Sequence, residues 1–238
     1  MAPLMAPLAG VKLDVFHFHK GEVATNWKLW QDNNSERYHA LLHAINRKTM
    51  PWVTGKASPM RLRLFDNGHS GYWSDGEATV DYAAGGYARV TGGALPGMRA
   101  DEMRVINLFP DTMINIRSNV IRIDRMVPLA PGRTLVEWRG LGAATDSEDT
   151  RVEQLRHHNM FWGPAGRNLP EDLIAVEAQW AGMSADVVRY SILAREEDLN
   201  PTDDANVRAY YREWARRMGR RPNAPFATAG ESGDGTRA

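Results

Sequence analysis

The sequence predicts one α+β domain in which helices flank a central antiparallel sheet. Between about residues 61 and 141 lie short runs of β-type alternation, such as MRVINLF and TLVEWRGL, separated by Gly and Pro turns. Segments with helical spacing of apolar residues stand before and after this region. Alternating strands joined by turns indicate an antiparallel sheet, and helices placed outside it are typical of the α+β class. The length of 238 residues suits one core.

Four helices are predicted around the sheet. The first covers residues 32–48, with apolar side chains at helical spacing at Tyr38, Leu41, Leu42 and Ile45. Residues 146–160 and the run EDLIAVEAQWAGM form two more, separated by the helix-breaking turn GPAGRNLP. An amphipathic helix near residues 204–218 completes the set.

Composition excludes several classes of protein. Lys plus Arg and Asp plus Glu both number 29, so no net charge attracts the chain to nucleic acid or to a membrane surface. The absence of cysteine excludes disulfides, thiolate nucleophiles and an iron–sulfur cluster held by these residues. The opening MAPLMAPLAG fits neither a signal peptide nor a membrane span, so we expect a cytoplasmic protein that binds small molecules and other proteins.

His39 and His43 stand four residues apart in the first predicted helix. This spacing places both imidazoles on one helix face, where they can reach one metal ion. Histidine pairs also occur on ordinary helix faces, so the spacing alone leaves a structural role open. Zinc peptidases with the HExxH motif carry a general-base Glu after the first His, but Ala40 stands there. A zinc hydrolase is therefore disfavoured.

The run NWKLWQDNNSERYHALLH resembles the signature of Rieske-type ring-hydroxylating oxygenase α subunits. Further on, FWGPAG is similar to the family's approach to a ligand-bearing helix, and NLFPDTMINIRSNVIRIDRMVPLAPGRTLVEW resembles its sheet. The resemblance covers most of the chain. It implies a helix-grip (START/Bet v1-like) fold, in which a helix closes over a curved sheet and leaves a cavity.

The resemblance also implies a mononuclear non-haem iron site. His39, His43 and Asp172 match the family's Fe(2+) ligands, a set that leaves open positions for dioxygen. Glu36 stands where the family has a bridging acid, frequently Asp, and Asn33 aligns with an Asn near the iron. A solvated helix carboxylate and a helix cap are the ordinary alternatives for Glu36 and Asn33.

The implied reaction is hydroxylation of an aromatic substrate held by hydrophobic walls. Electrons would come from a Rieske [2Fe-2S] cluster on another chain or a missing segment, served by a Rieske protein or by a ferredoxin and reductase. The resemblance further implies a homo-oligomer of the trimer type, with a possible β subunit. Candidate pocket residues, each equally suited to an ordinary core, are Leu42, Ile45, Asn115, Phe161 and Trp162.

Two alternatives to an oxygenase stay open: a metal-free helix-grip module that binds a hydrophobic ligand, and a non-catalytic subunit of an oligomer. We expect residues 1–20 to be an N-terminal segment, the remnant of a longer chain. Residues 21–222 would form the catalytic iron-binding domain, and residues 223–238 a flexible tail.

The other histidines are predicted to have structural roles. His17 and His19 share a face of a strand-like segment, and a second metal site is disfavoured because no carboxylate accompanies them. His157 and His158 are adjacent, so at most one can face a pocket. His69 lies in the turn DNGHSG and is expected to be exposed.

Overall fold

A computed structural model describes residues 2–50, 60–74, 81, 93–185, 193 and 204–220. Within these residues, seven antiparallel strands form one sheet in the order β1-β7-β6-β5-β4-β3-β2. Their bounds are β1 Leu13–Val23, β2 Arg61–Leu64, β3 Ser70–Ser74, β4 Met103–Leu108, β5 Thr112–Arg117, β6 Val120–Ala130 and β7 Arg133–Ala143. The predicted α+β, helix-grip-like class is confirmed. The predicted tail, residues 223–238, lies outside the described residues.

Helices cover the sheet. Their bounds are α1 Ala2–Met5, α2 Trp27–Ser35, α3 Ala44–Thr49, α4 Glu148–Trp162, α5 Leu169–Ser184 and α6 Ala205–Arg217, with short 3-10 turns at Ala6–Leu8, Tyr38–Leu41 and Asp66–Gly68. The three predicted helices that follow the sheet are confirmed as α4, α5 and α6. Among the described residues, no helix combines the length and apolarity that a membrane crossing requires.

The prediction of one continuous helix over residues 32–48 is wrong. α2 ends at Ser35, Glu36 is extended, and α3 starts only after His43, which is also extended. Two contacts explain the break. The Glu36 carboxylate accepts a hydrogen bond from the His39 backbone N–H at 3.0 Å, and the Tyr72 hydroxyl donates to the Ser35 carbonyl at the end of α2. Such side-chain bonds to the backbone compete with helical ones.

Strand β4 shows how the core is divided between the two faces of the sheet. Val105 packs with Met113 and Ala205 on one face, whereas Ile106 packs with Leu4 and Ile114 on the other. Successive strand residues point to opposite faces, so both faces become buried. Leu4 is part of this core and β1 crosses the predicted boundary at residue 20, so the described fold begins before residue 21.

A tight turn between α4 and α5 sets where α5 begins. The backbone N–H groups of Arg167 and Asn168 donate to the carbonyls of Met160 and Phe161, at 2.6 and 3.1 Å. A Cβ on Gly166 would lie 2.7 Å from the carbonyl oxygen of Asn159, which is backbone and cannot simply rotate away. The turn therefore requires glycine at this position.

We expect Gly166→Ala to lower the free energy of unfolding by about 1–3 kcal/mol, because the added methyl group forces backbone atoms apart. Gly182→Ala is the matched control, since a Cβ there meets nothing within 4 Å. This control is expected to be neutral, or to stabilise α5 by up to about 1 kcal/mol. Urea unfolding followed by circular dichroism measures both changes, and equal stability of the two variants would contradict the prediction.

Candidate metal centre

Three side chains converge on one point beside the sheet. The Nε2 atoms of His39 and His43 lie 3.5 and 3.1 Å from Oδ1 of Asp172. Ligand atoms of all three lie within 4.8 Å of one another. His39 belongs to the 3-10 turn, His43 precedes α3, and Asp172 lies in the first turn of α5. His39 thus lies in a 3-10 turn and the extended His43 follows it, so the two histidines do not share one helix face.

A carboxylate lies beside Nδ1 of each imidazole. The Nδ1–H of His43 donates to Oε2 of Glu171 at 2.7 Å, and Nδ1 of His39 is in close contact with Oε1 of Glu36. A carboxylate at Nδ1 keeps the proton there and leaves the lone pair of Nε2 directed inward. Both histidines are therefore oriented as metal ligands usually are. Sequence reasoning gave Glu171 no role, although it stands next to Asp172.

The electrostatics keep the carboxylate of Asp172 ionised. Burial alone would raise the pKa of Asp172, but the hydrogen bond and charge of His43, with the charge of His39, lower it below its usual value. Burial likewise opposes a raised pKa at His43, yet the hydrogen bonds and charges of Asp172 and Glu171 outweigh it. Two imidazoles and one ionised carboxylate fit the donor set of ferrous iron.

The cavity beside these three residues has mainly polar walls, which differs from the expected hydrophobic pocket. Val105, Met113 and Trp162 contribute apolar surface. The remaining walls include arginines and asparagines, namely Arg37, Arg117, Arg122, Asn33, Asn34, Asn46, Asn115 and Asn168. Inward-facing arginines on β5 and β6 were missed, because the alternation of those strands was interpreted only as sheet.

The predicted pocket residues divide into three groups. Asn115 and Trp162 line the cavity, whereas Ile45 and Phe161 are buried in a hydrophobic cluster. Leu42 lies outside the cavity with 67% of its surface exposed, because the predicted helix is broken between Ser35 and α3.

Asn33 and Glu36 both lie beside the three converging side chains. Asn33 lines the cavity, and its hydrogen bond to Asp172 helps to lower the pKa of that carboxyl. The Glu36 side chain is buried, with 7% of its surface exposed. It borders a second groove, the outer groove. That outer groove also contains Asp32 and the exposed side chains of Tyr38 and Leu41.

The remaining histidines do not all match the sequence analysis. His69 is half-buried rather than exposed, and its Nδ1 accepts a hydrogen bond from the Phe109 backbone N–H at 2.9 Å. His157 packs on the rings of Phe161 and Trp162. His158 contacts the rings of Phe16 and His17 on β1.

Residues 10–220 match the family described as ring hydroxylating alpha subunit (catalytic domain). The chain belongs to this family, and so it is the catalytic domain of a Rieske-type oxygenase α subunit. It is 40% identical over 217 residues to the 2-aminobenzenesulfonate 2,3-dioxygenase subunit alpha of Alcaligenes sp, covering 91% of this chain and 54% of that relative. It is 36% identical over 224 residues to the methanesulfonate monooxygenase hydroxylase subunit alpha of Methylosulfonomonas methylovora, covering 93% and 53%.

Solved structures show the same fold at low sequence identity. Naphthalene 1,2-dioxygenase from Rhodococcus sp. bound to indole superposes with a TM-score of 0.66 at 13% identity, covering 92% of this chain and 61% of that one. A quaternary ammonium Rieske monooxygenase superposes with a TM-score of 0.63 at 16% identity, covering 86% and 50%. The chain spans about half the length of the curated relatives that it matches.

Proposed function

We propose that this domain binds Fe(2+) through His39, His43 and Asp172 and hydroxylates an organic substrate with dioxygen. One observation carries the proposal: both Nε2 atoms are directed at the Asp172 carboxylate while other carboxylates hold both Nδ1 atoms. Bound iron supplies dioxygen activation, and the reaction consumes electrons from outside the domain. The chain's own residues orient the ligands, and its cavity places the substrate beside them.

Iron content distinguishes this proposal from the two alternatives, a metal-free binding module and a non-catalytic subunit. After anaerobic reconstitution with Fe(2+) and desalting, we expect near one iron per chain, and its loss in His39→Ala. His69→Ala is the matched control, since His69 lies outside the cavity and should leave iron content unchanged. A chain that retains no iron would instead support a metal-free binding module or a non-catalytic subunit.

We further propose that the substrate is a sulfonate, with an aromatic ring as its carbon skeleton. Arg37 and Arg117 add positive charge to the cavity walls, and asparagine amides add neutral donors, so an anionic oxygen group is favoured there. Val105, Met113 and Trp162 add apolar surface to these walls, which suits a carbon ring. The names of both curated relatives contain a sulfonate, one aromatic and one alkyl.

Ligand binding to the iron-loaded domain tests the substrate proposal without turnover. We expect benzenesulfonate to bind at least about 10-fold more tightly than the neutral benzenesulfonamide, a difference that one charge-assisted hydrogen bond supplies. Arg117→Met should reduce this preference, whereas Arg133→Met, a surface control, should not. Equal affinity for the two ligands would contradict an anionic substrate, and tighter binding of methanesulfonate would contradict the aromatic skeleton.

The outer groove is proposed as the docking surface for the electron donor. It combines the acidic side chains of Asp32 and Glu36 with exposed apolar surface at Tyr38, Leu41 and Leu42. Glu36 borders this groove and also contacts His39, so its carboxylate can link a docked Rieske domain to the metal centre. The Rieske cluster would come from a ferredoxin-type protein, another segment or a neighbouring subunit of a homo-oligomer.

We expect Glu36→Gln to slow turnover by roughly 10- to 100-fold, because the amide keeps the shape of the side chain but loses the charge that holds His39. Iron content and turnover with an added Rieske protein and reductase are measured together. A variant that retains iron but turns over slowly supports a role in electron delivery. Turnover equal to that of the unmodified chain would contradict it.

A further inference from the structure

A second group of histidines contacts Trp162 and is separate from the proposed iron ligands. His17 and His19 project from β1, and His158 projects from α4 toward them. One nitrogen of each imidazole lies within 4.8 Å of the others. Sequence reasoning could not find this group, because β1 and α4 are far apart along the chain.

The spacing of these nitrogens suits a tetrahedral metal ion. Nδ1 of His19 lies 3.2 Å from Nε2 of His17. Two nitrogens bound at Zn–N distances of about 2.0–2.1 Å in a tetrahedral site would stand roughly 3.4 Å apart. These two nitrogens of His17 and His19 are therefore separated by almost the distance that binding to one ion requires. His158 supplies a third donor.

His158 is a buried polar side chain without a hydrogen-bond partner among the described residues. It is 0% exposed, and in the part of the chain that the structure describes neither of its ring nitrogens has a hydrogen-bond partner. A buried polar group without a partner costs free energy, and native proteins normally satisfy it with water or an ion. A metal ion would engage a lone pair of each ring.

The surrounding side chains hold the three rings in place. Trp138 stacks on His19 with ring centroids 4.7 Å apart, and the ring edge of Phe16 meets His158. A Cβ on Gly140 would come within 3.0 Å of Nδ1 of His158, so glycine makes room for that ring. Burial lowers the pKa of His19 to about 4 and also lowers the pKa of His17 and His158, so the rings are neutral, as ligands must be.

We propose that His17, His19 and His158 bind Zn²⁺ or a similar borderline divalent ion, with one coordination position left for water. Three neutral imidazoles are an established ligand set for zinc, and the site needs no carboxylate. The charge of Arg122, which lowers the pKa of His19 and His158, is compensated by two hydrogen bonds to Asp124 at 2.7 and 2.6 Å. The second ion would lie one aromatic ring from the iron cavity, because Trp162 packs on His158 and lines that cavity.

Zinc titration by calorimetry tests this proposal independently of the iron centre. The experiment uses the full chain with His39→Ala and His43→Ala, so that zinc cannot occupy the first site. We expect one Zn²⁺ per chain, and at least about a tenfold loss of affinity in the further variant His17→Asn. His69→Asn is the matched control, expected to bind as before.

X-ray absorption at the zinc edge, on the same chain with His39→Ala and His43→Ala, provides a second measurement. Imidazole nitrogens at about 2.0–2.1 Å are expected around the bound ion. The proposal is overturned if the chain takes up no zinc, if zinc affinity is unchanged in His17→Asn, or if the spectrum shows oxygen ligands without imidazole. Thermal unfolding with and without zinc confirms that each variant is folded.

Discussion

Asp172→Ala is expected to lower iron affinity by more than about 100-fold and to abolish turnover. This loss is larger than the loss expected when a carboxylate that only orients a metal ligand is removed. Asp172 is the one carboxylate among the three converging residues, and it is 8% exposed. Without it, two neutral imidazoles would have to hold a doubly charged ion in a mostly buried site, which is electrostatically costly. Iron content after anaerobic reconstitution, and turnover with an added electron donor, measure the two effects.

Two variants on the same helix sharpen this prediction. Glu177→Ala removes an exposed carboxylate of α5 that accepts a hydrogen bond from the Ala24 backbone, and it should retain iron fully. Glu171→Gln weakens only the support of His43, so its loss of affinity should be intermediate, roughly 10- to 100-fold. If Asp172→Ala retained as much iron as Glu177→Ala, the proposed ligand set would be wrong.

The sequence predicts the sheet and the later helices well because their signals are local. Alternation in β4 to β7 and helical spacing in α6 depend only on which face each residue buries. The break after α2 has a different origin. Asn206 of α6 donates to the Ser35 carbonyl at 2.6 Å, and Tyr72 of β3 donates to the same atom. These partners are distant in sequence, so helical spacing over residues 32–48 could not reveal the break.

The polar cavity was also hidden from sequence reasoning, for a related reason. Arg117 and Arg122 stand on neighbouring strands, and a charged residue in an alternating strand is ordinarily interpreted as facing solvent. Here both side chains are buried, with 5% and 4% of their surfaces exposed. Their guanidinium groups lie over the ring of Trp162, at 5.5 and 5.0 Å from its centroid. Only the packing of α4 against the sheet places an aromatic ring there.

The ion pair between Arg122 and Asp124 is expected to have the largest effect on stability. Asp124 is fully buried and accepts two hydrogen bonds from the Arg122 guanidinium. Burial raises the pKa of Asp124, although the charge and hydrogen bonds of Arg122 oppose this. We expect Asp124→Ala to lower the free energy of unfolding by about 3–5 kcal/mol, because the Arg122 charge would remain buried without its partner.

A double variant separates the cost of an unpaired charge from the value of the pair itself. Arg122→Met with Asp124→Leu removes both charges, and we expect it to be more stable than Asp124→Ala, because no lone charge stays buried. Arg133→Ala breaks the exposed ion pair with Glu22 and should cause no measurable loss. Urea unfolding of all three variants makes the comparison, and an Asp124→Ala loss as small as that of Arg133→Ala would contradict it.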